Sequence, residues 1–520
     1  MVQRIINYLY KIKYFVRLTL LTENILLKRR ESELLPSSPH SFSSGIPQDC
    51  QLQFAKSFDG KLLLRNEIKL SNQQFKQLVH HQLLTPQSSF QKTLFHIRCT
   101  RCNNNKRSLL AYFPCSKCHK SHLYCRNCIM MGRVSECEML YKWSGIRYPW
   151  PKHNEACTWK GELTVAQSHA SERVEKAVES KSELVVWAVT GAGKTEILFS
   201  GIELALRNGE RVCIATPRAD VVRELLPRIQ KAFQTVEVQA LYGKSIDKDA
   251  TAQLIIATTH QLLRFYDAFD VIIIDEIDAF PYHHDESLQF ATKRAAKERA
   301  AKIYLTATPR DALKQKIRSK KIPYIFIPIR YHGHPLPVPK LIADFSLQKQ
   351  LNNNQLPKSF FHWLDKRQKR SRQLLIFVPT IRLASKLAVR VADILLQKKQ
   401  ISDHLEVASV HAEDEFREEK VKSFRDKKIY ALITTTILER GVTFPSVDVV
   451  ILQANHEVFD EAALVQIAGR AGRAKEDPTG EVIFIHDGKT EAMVAAVHSI
   501  KSMNRLGKSY LPKTESDDDE

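Results

Sequence analysis

The chain has 520 residues, with 78 Lys or Arg against 57 Asp or Glu, and a net charge of +21 at pH 7. Its hydrophobic (43%) and charged (26%) fractions are those of globular proteins, which excludes a disordered or fibrous chain. At roughly 150 residues per domain, this length predicts three or four domains. No apolar run approaches the ~18–20 residues that span a bilayer, so no transmembrane helix is expected. Such an excess of positive charge on a folded chain is typical of proteins that bind nucleic acids.

Residues 1–50 are interpreted as an N-terminal extension and linker of uncertain structure. The stretch Ile5–Leu26 mixes large apolar side chains with Lys and Arg, and it has no unbroken apolar core or small-residue cleavage site. It is therefore a poor secretory signal. Residues 36–49 are rich in Pro and Ser and predict a loop. Residues 511–520 form an acidic tail, so the body of the chain is more basic than the total charge shows.

Six of the ten cysteines form three Cys-x-x-Cys pairs, at Cys99 and Cys102, Cys115 and Cys118, and Cys125 and Cys128. Two thiolates on one tight turn suit one Zn²⁺, and two such pairs complete its tetrahedral shell. We therefore predict a small zinc-ribbon-like domain at residues 96–140, after an N-terminal region at 51–95. Because the sequence shows no export signal, disulfides are the weaker interpretation.

The ligands of this domain are predicted to be Cys99, Cys102, Cys125 and Cys128. Cys115 and Cys118 remain an alternative pair, which could replace one of the other pairs or complete a second site with Cys137, His119 or His122. Basic and aromatic residues surround the cysteines. They suit contact with a nucleic acid, and a purely structural zinc is the competing interpretation.

From about residue 160, short β-branched runs alternate with helical stretches. The first series of predicted strands is Leu184–Val189, Val212–Thr216, Leu254–Thr258, Val271–Asp275 and Ile303–Ala307. The second series is Leu374–Val378, Val407–His411, Ala431–Thr435, Val447–Ala454 and Val482–His486. Continuous apolar strands separated by helices predict parallel sheets covered on both faces. We expect two five-stranded α/β lobes, at residues 160–325 and 340–510, with the stretch 309–345 as the passage between them.

The first strand of the first lobe runs into Ala188-Val-Thr-Gly-Ala-Gly-Lys-Thr195, a pattern typical of a phosphate-binding loop. The loop contains Thr190, Gly191, Ala192 and Gly193 and leads into a helix. Its two glycines let the backbone bend so that N–H groups face the phosphates of ATP. Lys194 is expected to reach the β- and γ-phosphates, and the Thr195 hydroxyl to ligate Mg²⁺.

Two further motifs predict the rest of an ATP site. Asp275 and Glu276 follow an apolar strand; the former would hold Mg²⁺ through water, and the latter would orient and deprotonate the attacking water. In the second lobe, Arg470 and Arg473 share one helical face and could reach a γ-phosphate across the cleft. An N-terminal helix cap and a solvated basic helix are the respective alternatives. We predict that ATP is sandwiched by both lobes, so that the cleft opens and closes with hydrolysis.

Together these motifs resemble those of superfamily-two helicases over residues 160–505. The matching segments are Ala188–Thr195, Asp275–Asp278, Leu305–Pro309, Thr434–Thr443 and Gln466–Arg473. The resemblance implies two tandem RecA-like lobes. It also implies adenine recognition by Gln167, a catalytic role for Gln466, and coupling of hydrolysis to lobe movement by Thr306 and Thr308. The residues that it implies for DNA binding are Thr216, Pro217, Arg218 and Thr436.

Longer strings are similar to those of the ComFA family of late competence proteins, at Cys125–Val134, Thr258–Leu263, Asp275–Pro281 and Thr436–Pro445. This resemblance implies a cytoplasmic ATPase that uses ATP, Mg²⁺ and Zn²⁺, binds single-stranded DNA and helps to import transforming DNA. It implies two partners, a ComFC-like protein and a membrane DNA channel. Peripheral attachment at the inner face of the membrane and assembly into a homo-oligomer are further options. The family's usual four cysteines leave the place of Cys115 and Cys118 open, and Thr443 stands where DEAD-type helicases often have Asp.

Three other functions compete with this interpretation. A PriA-like replication-restart helicase also combines cysteine-rich zinc binding with two lobes, but its zinc segment lies inside the motor. An RNA helicase would share the same motor motifs. A zinc-ribbon DNA-binding adaptor with a degenerate motor belongs to a different class, and the intact Lys194, Glu276 and Arg473 argue against it.

Overall fold

The computed structural model describes residues 47–93, 96–243, 245 and 249–510. Most of the predicted N-terminal extension and the whole acidic tail lie outside the described residues. From Asp49 onward the chain forms one unit. No helix in the described part of the chain is long and apolar enough to cross a bilayer.

The N-terminal part is built from short antiparallel strands and two helices. The helices are α1 (Gln48–Phe58) and α2 (Asn72–His80), and the strands are β1 (Leu62–Leu64), β2 (Leu84–Gln87), β3 (Phe90–Lys92), β4 (Ile97–Cys99), β5 (Leu110–Pro114), β6 (Ser121–Cys125), β7 (Val134–Ser135) and β8 (Leu140–Trp143). Strand β8 pairs with both β1 and β2, β3 pairs with β4, and β5, β6 and β7 form a third sheet. The cysteine-rich segment therefore lies, along the chain, between β2 and β8, which pair with each other in the first of these sheets.

The first lobe has a seven-stranded parallel sheet in the order β11-β12-β10-β13-β14-β9-β15. Its strands are β9 (Glu183–Ala188), β10 (Val212–Thr216), β11 (Val238–Leu241), β12 (Leu254–Thr258), β13 (Phe269–Ile274), β14 (Ala296–Thr306) and β15 (Tyr324–Ile327). Its helices are α3 (Val165–Glu179), α4 (Phe199–Arg207), α5 (Ala219–Ala232), α6 (Glu286–Ala295) and α7 (Asp311–Arg318). The central strands β10 and β12 are buried along their whole length, as continuous apolar runs require.

The second lobe has a six-stranded parallel sheet in the order β16-β21-β20-β17-β19-β18. Its strands are β16 (Lys340–Ala343), β17 (Gln373–Phe377), β18 (Val407–Val410), β19 (Ala431–Thr434), β20 (Val447–Leu452) and β21 (Val482–His486). Its helices are α8 (Leu347–Asn352), α9 (Lys358–Lys366), α10 (Ile381–Gln397), α11 (Arg417–Arg425), α12 (Glu461–Ala468) and α13 (Glu491–Lys508). The predicted fold class, two RecA-like lobes after a small cysteine-rich domain, is confirmed.

The predicted number of strands was wrong at the sheet edges. Five strands were expected in each lobe, and β11, β15 and β16 were missed. Each has only four residues and is partly exposed at a sheet edge. Strands β11 and β16 include the polar residues Gln239 and Lys340, and the apolar run of β15 is too short to be assigned from pattern alone. The stretch 309–345 is consequently more than a passage, because it contains α7 and an edge strand of each lobe.

The cysteine-rich domain is fixed to the first lobe through a buried arginine. The Arg101 guanidinium donates to the backbone oxygens of Met131 (3.0 Å) and Leu263 (3.2 Å) and forms an ion pair with Glu67 (2.9 Å). Arg294 on α6 donates in turn to the Thr100 oxygen (3.1 Å). These contacts and a shared apolar core join the domain to the first lobe.

Candidate functional site

A cleft of about 640 Å³ between the two lobes gathers most of the residues predicted to handle ATP. The first lobe contributes Gln167, Thr190, Gly191, Ala192, Gly193, Lys194, Thr195, Asp275 and Glu276, and the second contributes Gln466, Arg470 and Arg473. Trp159, Arg228 and Tyr331 also line the cleft, although no sequence motif singled them out. The two arginines of the second lobe therefore share a cleft with Lys194.

The phosphate-binding loop follows β9 and depends on two glycines. Gly191 and Gly193 have φ angles of +81° and +74°, in the left-handed region that glycine adopts without steric cost. A Cβ at Gly193 would lie 2.3 Å from Gln167 Nε2, so a larger residue would also displace that side chain. The loop then enters a 3₁₀ turn and α4, which directs backbone N–H groups toward the cleft.

Gln167 connects the start of α3 to the phosphate-binding loop. Its Oε1 accepts from the Thr164 N–H (2.8 Å) in a capping box, and its Nε2 donates to the Ala192 oxygen (2.9 Å). The amide thus holds the loop in place. The predicted contact of Gln167 with adenine stays a prediction.

Charged groups in the cleft shift one another's pKa values. Burial, followed by repulsion from Glu276, raises the pKa of Asp275 to about 6, while Lys194 opposes the shift. Burial also lowers the pKa of Lys194, against the attraction of Asp275, Asp278 and Glu276. A divalent cation at Asp275 would offset this crowding of negative charge, so the donor set fits the predicted Mg²⁺.

Glu276 has the geometry expected of a group that positions water. Its φ of +54° is unusual for a residue other than glycine, and its N–H donates to Asp275 Oδ1 (2.9 Å). Glu276 Oε2 is buried without a hydrogen-bond partner among the described residues. A buried acceptor of this kind needs a donor, which an attacking water would supply.

Arg470 and Arg473, buried and half-buried respectively, line the same cleft as the phosphate-binding loop. Arg470 Nε donates to the Glu439 oxygen (2.9 Å), and Arg473 Nε donates to the Gly469 oxygen (3.0 Å). Within the described ranges neither forms an ion pair, and burial lowers the pKa of both. Gly469 brings them close, since a Cβ there would lie 2.0 Å from Thr190 Oγ1. Two cations without a counter-ion make an anion-binding site.

Next to the cleft, a buried ion pair joins the lobes. Asp278 accepts from Thr306 Oγ1 (2.7 Å) and Thr308 Oγ1 (2.6 Å) in the first lobe and from Arg440 Nη2 (2.6 Å) in the second. Burial alone would raise the pKa of Asp278, but Arg440 and the two hydroxyl groups lower it to about 2. The residues predicted to couple hydrolysis to lobe movement therefore contact the interlobe pair. Arg440 was not predicted, because the sequence does not show which residues face each other across the lobes.

A second interlobe cleft, of about 590 Å³, contains three of the four residues predicted to bind DNA. Pro217, Arg218 and Thr436 line it, whereas Thr216 is fully buried at the end of β10. Its charged lining residues are Arg218, Arg223 and Arg417 against Asp220, Asp414, Glu415, Glu418 and Glu439. The cleft is therefore not net basic, and carboxylates of the opposite lobe pair with two of its arginines.

Phe280 is an exposed aromatic residue in this second cleft. Its side chain is 71% exposed, next to Pro281 and across from Thr436. Aromatic side chains in interlobe grooves can stack on nucleic acid bases without regard to sequence. Sequence analysis quoted this residue within the string Asp275–Pro281 but gave it no role.

The four predicted metal ligands converge on one point. The Sγ atoms of Cys99, Cys102, Cys125 and Cys128 all lie within 4.8 Å of one another, and all four residues are buried. The Cys102–Cys125 and Cys99–Cys128 distances are 3.5 and 3.8 Å. A Zn–S bond of ~2.3 Å gives a tetrahedral edge of about 3.8 Å, so the cluster fits Zn²⁺. Cys115 and Cys118 lie outside this cluster.

The family models that match the two lobes define a helicase-type ATPase. Residues 160–311 match the family "Type III restriction enzyme, res subunit", and residues 354–475 match "Helicase conserved C-terminal domain". The solved helicase Lhr of Mycobacterium smegmatis, bound to ssDNA and AMP-PNP, is 16% identical with a TM-score of 0.49. The alignment covers 67% of this chain and 50% of that one.

The N-terminal part identifies the family more closely. Residues 47–142 match the "Competence protein ComFA N-terminal domain". The chain is 43% identical to the competence protein ComFA of Bacillus subtilis, over 89% of this chain and 98% of that protein. It is 36% identical to the ComFA of Streptococcus pneumoniae, over 86% of this chain and 97% of that protein. The chain belongs to the ComFA family of competence proteins.

The interlobe ion pair gives a first prediction. Asp278→Asn keeps the shape of the side chain but removes the closest counter-ion of buried Arg440, which is left with Glu439 at 3.4 Å. Breaking a buried pair in this way costs about 3–5 kcal/mol. We expect ATP turnover to fall at least tenfold. Small-angle scattering with a non-hydrolysable ATP analogue should show a more open molecule. Asp311→Asn, at a fully exposed position, is the matched control, and equal compactness of both variants would contradict the prediction.

The cysteine cluster gives a second prediction. Cys102→Ser should release one zinc equivalent per chain and lower the melting temperature, because the buried site ties strand β4 to the turn after β6. Mass spectrometry of the metal and thermal unfolding measure the two effects. Cys157→Ser changes a cysteine outside the cluster and should alter neither; an unchanged zinc content in Cys102→Ser would assign the metal elsewhere.

Proposed function

We propose that this chain is an ATP-driven translocase of single-stranded DNA, acting in DNA uptake during natural transformation. The observation that carries the proposal is that Lys194 and Glu276 of one lobe share a cleft with Arg470 and Arg473 of the other. Membership of the ComFA family supports the role in competence over a PriA-like role in replication restart. The complete set of cleft residues argues against an adaptor with a degenerate motor.

In the proposed reaction, each group of the cleft has one task. The loop N–H groups and Lys194 hold the β- and γ-phosphates, and Glu276 orients a water molecule and takes its proton. Arg470 and Arg473 neutralise the charge that develops on the transferred phosphoryl group. Thr195 and Asp275 would hold Mg²⁺, whose charge would be shared with the same phosphates.

Hydrolysis would move the lobes because the γ-phosphate is the group that both lobes would hold in this cleft. Arg470 and Arg473 donate to the backbone oxygens of Glu439 and Gly469, and the bound phosphate would be their anionic partner. Once the phosphate leaves, the attraction across the cleft weakens and the Arg440–Asp278 pair is free to separate. Repeated closing and opening would shift the second cleft along a bound strand.

The second cleft is the proposed DNA path. Arg218 and Thr436 from opposite lobes line it with Phe280 between them, so phosphate contacts and base stacking are both available. A bound strand would displace the carboxylates that now pair with Arg223 and Arg417. These interlobe pairs must break before DNA phosphates can contact the two arginines. We therefore expect the strand to bind while the lobes open.

The family relationship extends the proposal to partners and location. We place the protein in the cytoplasm, at the inner face of the cell membrane when engaged, with a ComFC-like protein and a membrane DNA channel as partners and a homo-oligomer as a further option. We assign Zn²⁺ to Cys99, Cys102, Cys125 and Cys128. In this position the metal would be structural, because the cluster is buried against the first lobe.

The central prediction concerns the ATPase. Single-stranded DNA should stimulate hydrolysis more than duplex DNA or RNA, and Lys194→Ala or Glu276→Gln should reduce the rate at least 100-fold. Steady-state phosphate release with each nucleic acid measures both effects. Lys501→Ala, on the exposed face of α13, is the control for loss of one positive charge. Equal stimulation by RNA would contradict the proposed substrate, and full activity of Lys194→Ala would exclude the proposed engine.

Phe280 provides a test of the DNA path. Stacking on one base contributes ~1–3 kcal/mol, so Phe280→Ala should raise the DNA concentration for half-maximal ATPase stimulation roughly 5- to 150-fold. Hydrolysis without DNA should stay unchanged, and Phe280→Trp should restore binding. Phe345→Ala removes an equally exposed ring outside the cleft and serves as the control. The same shift in both variants, or none in either, would rule out this path.

A further inference from the structure

The Cys99 loop has a backbone arrangement that suits a metal ligand pair. The Cys99 N–H donates to the Asn104 oxygen (3.0 Å), and the Asn103 N–H donates to the Cys99 oxygen (2.8 Å). Asn103 turns the chain with a φ of +63°. This tight turn aims Cys99 and Cys102 at the same point.

The Cys115 loop repeats this arrangement bond for bond. The Cys115 N–H donates to the Lys120 oxygen (2.9 Å), and the His119 N–H donates to the Cys115 oxygen (2.8 Å). His119 occupies the turn with a φ of +54°, at the position that corresponds to Asn103. A non-glycine residue in this region is uncommon, so two such loops in one small domain indicate the same task.

Two further ligands lie beside the Cys115 loop. Cys137 Sγ is 3.9 Å from Cys115 Sγ, close to the ~3.8 Å edge of a tetrahedral zinc site. His122 Nε2 is 2.9 Å from Cys118 Sγ. Cys115, Cys118 and Cys137 line an open cavity of about 290 Å³ that is separate from both interlobe clefts.

A carboxylate stands behind the histidine, as it does in many zinc sites. His122 Nδ1 lies 4.0 Å from Glu136 Oε2, and that oxygen accepts from the Leu123 N–H (3.2 Å). A histidine that ligates zinc through one nitrogen usually donates through the other to such a group. Glu136 would therefore fix the ring with Nε2 directed at the metal.

We propose that Cys115, Cys118, His122 and Cys137 bind a second Zn²⁺. The ligands of the two sites alternate along the chain, since Cys115, Cys118 and His122 fall between the first and second pairs of the buried cluster. Strand β6 carries a ligand of each site, with His122 near its start and Cys125 at its end. Among the described residues only the buried cluster has all its ligand atoms within 4.8 Å. The second site consists of two close pairs, Cys115 with Cys137 and Cys118 with His122. Binding of the metal would draw these two pairs together.

The metal content of the full-length protein tests the proposal. We expect two zinc equivalents per chain in the wild type and one in a Cys118→Ser, Cys137→Ser double variant. The buried cluster stays intact in this variant, so loss of folding does not interfere. His119→Ala should keep two, because its side chain is not a proposed ligand. One equivalent in the wild type, or two in the double variant, would overturn the proposal.

Cobalt substitution provides a second measurement that does not depend on ATPase activity. Thiolate-to-cobalt charge-transfer absorption grows with the number of coordinated thiolates, so seven are expected in the wild type and four in the double variant. His122→Ala should change the visible bands while the thiolate absorption remains. Absorption of four thiolates in the wild type would refute the second site. So would a Cys115–Cys137 disulfide, detected as an intact mass two hydrogens low and located by peptide mapping under non-reducing conditions.

Discussion

Among the ion pairs that join the two lobes, the pair between Asp278 and Arg440 is the most deeply buried, and Arg417–Asp220 and Arg223–Glu418 add to it from the second cleft. The side chains of Asp278 and Arg440 are 1% and 2% exposed, and neither charge would be stable at this depth without the other. Attraction to Arg440 and hydrogen bonds from Thr306 and Thr308 hold the pKa of Asp278 at about 2, although burial alone would raise it. The pair therefore favours the arrangement in which the lobes touch, and it lies beside the cleft that contains Lys194 and Glu276.

Two short segments carry this connection from one cleft to the other. In the first lobe, Asp275–Pro281 places Glu276 in the ATP cleft, Asp278 in the ion pair and Phe280 in the second cleft. In the second lobe, the segment Thr436–Thr443 places Thr436 in the second cleft, Arg440 in the ion pair and Thr443 in the ATP cleft. The two segments cross the interface in opposite directions. The two clefts are therefore only a few residues apart along each segment.

Sequence reasoning succeeded where local pattern determines structure. The central strands are apolar on both faces, and their carboxyl ends carry the phosphate-binding loop and Asp275, so both could be located in advance. The edge strands β11, β15 and β16 are short and half-exposed, and they carry no such pattern. Arg440 and Phe280 gain their importance only from what faces them across the lobes. The first and third Cys-x-x-Cys pairs were predicted to form one site, and their four Sγ atoms do converge. Spacing alone left the place of Cys115 and Cys118 open, because the fold of β5, β6 and β7 decides how far that pair lies from the other two.

The attachment of the cysteine-rich domain limits what it can do during the cycle. Arg101 and Arg294 fix it to the first lobe through backbone oxygens, which no side-chain substitution in the partner can remove. The domain is therefore attached to the first lobe, so in the proposed cycle the second lobe would move relative to both. The buried cluster holds the base of the domain against the first lobe, while Cys118 and Cys137 lie on its exposed side. Two metals at opposite ends of β6 would stiffen the domain along its length, because each end of the strand would be tied to a separate loop.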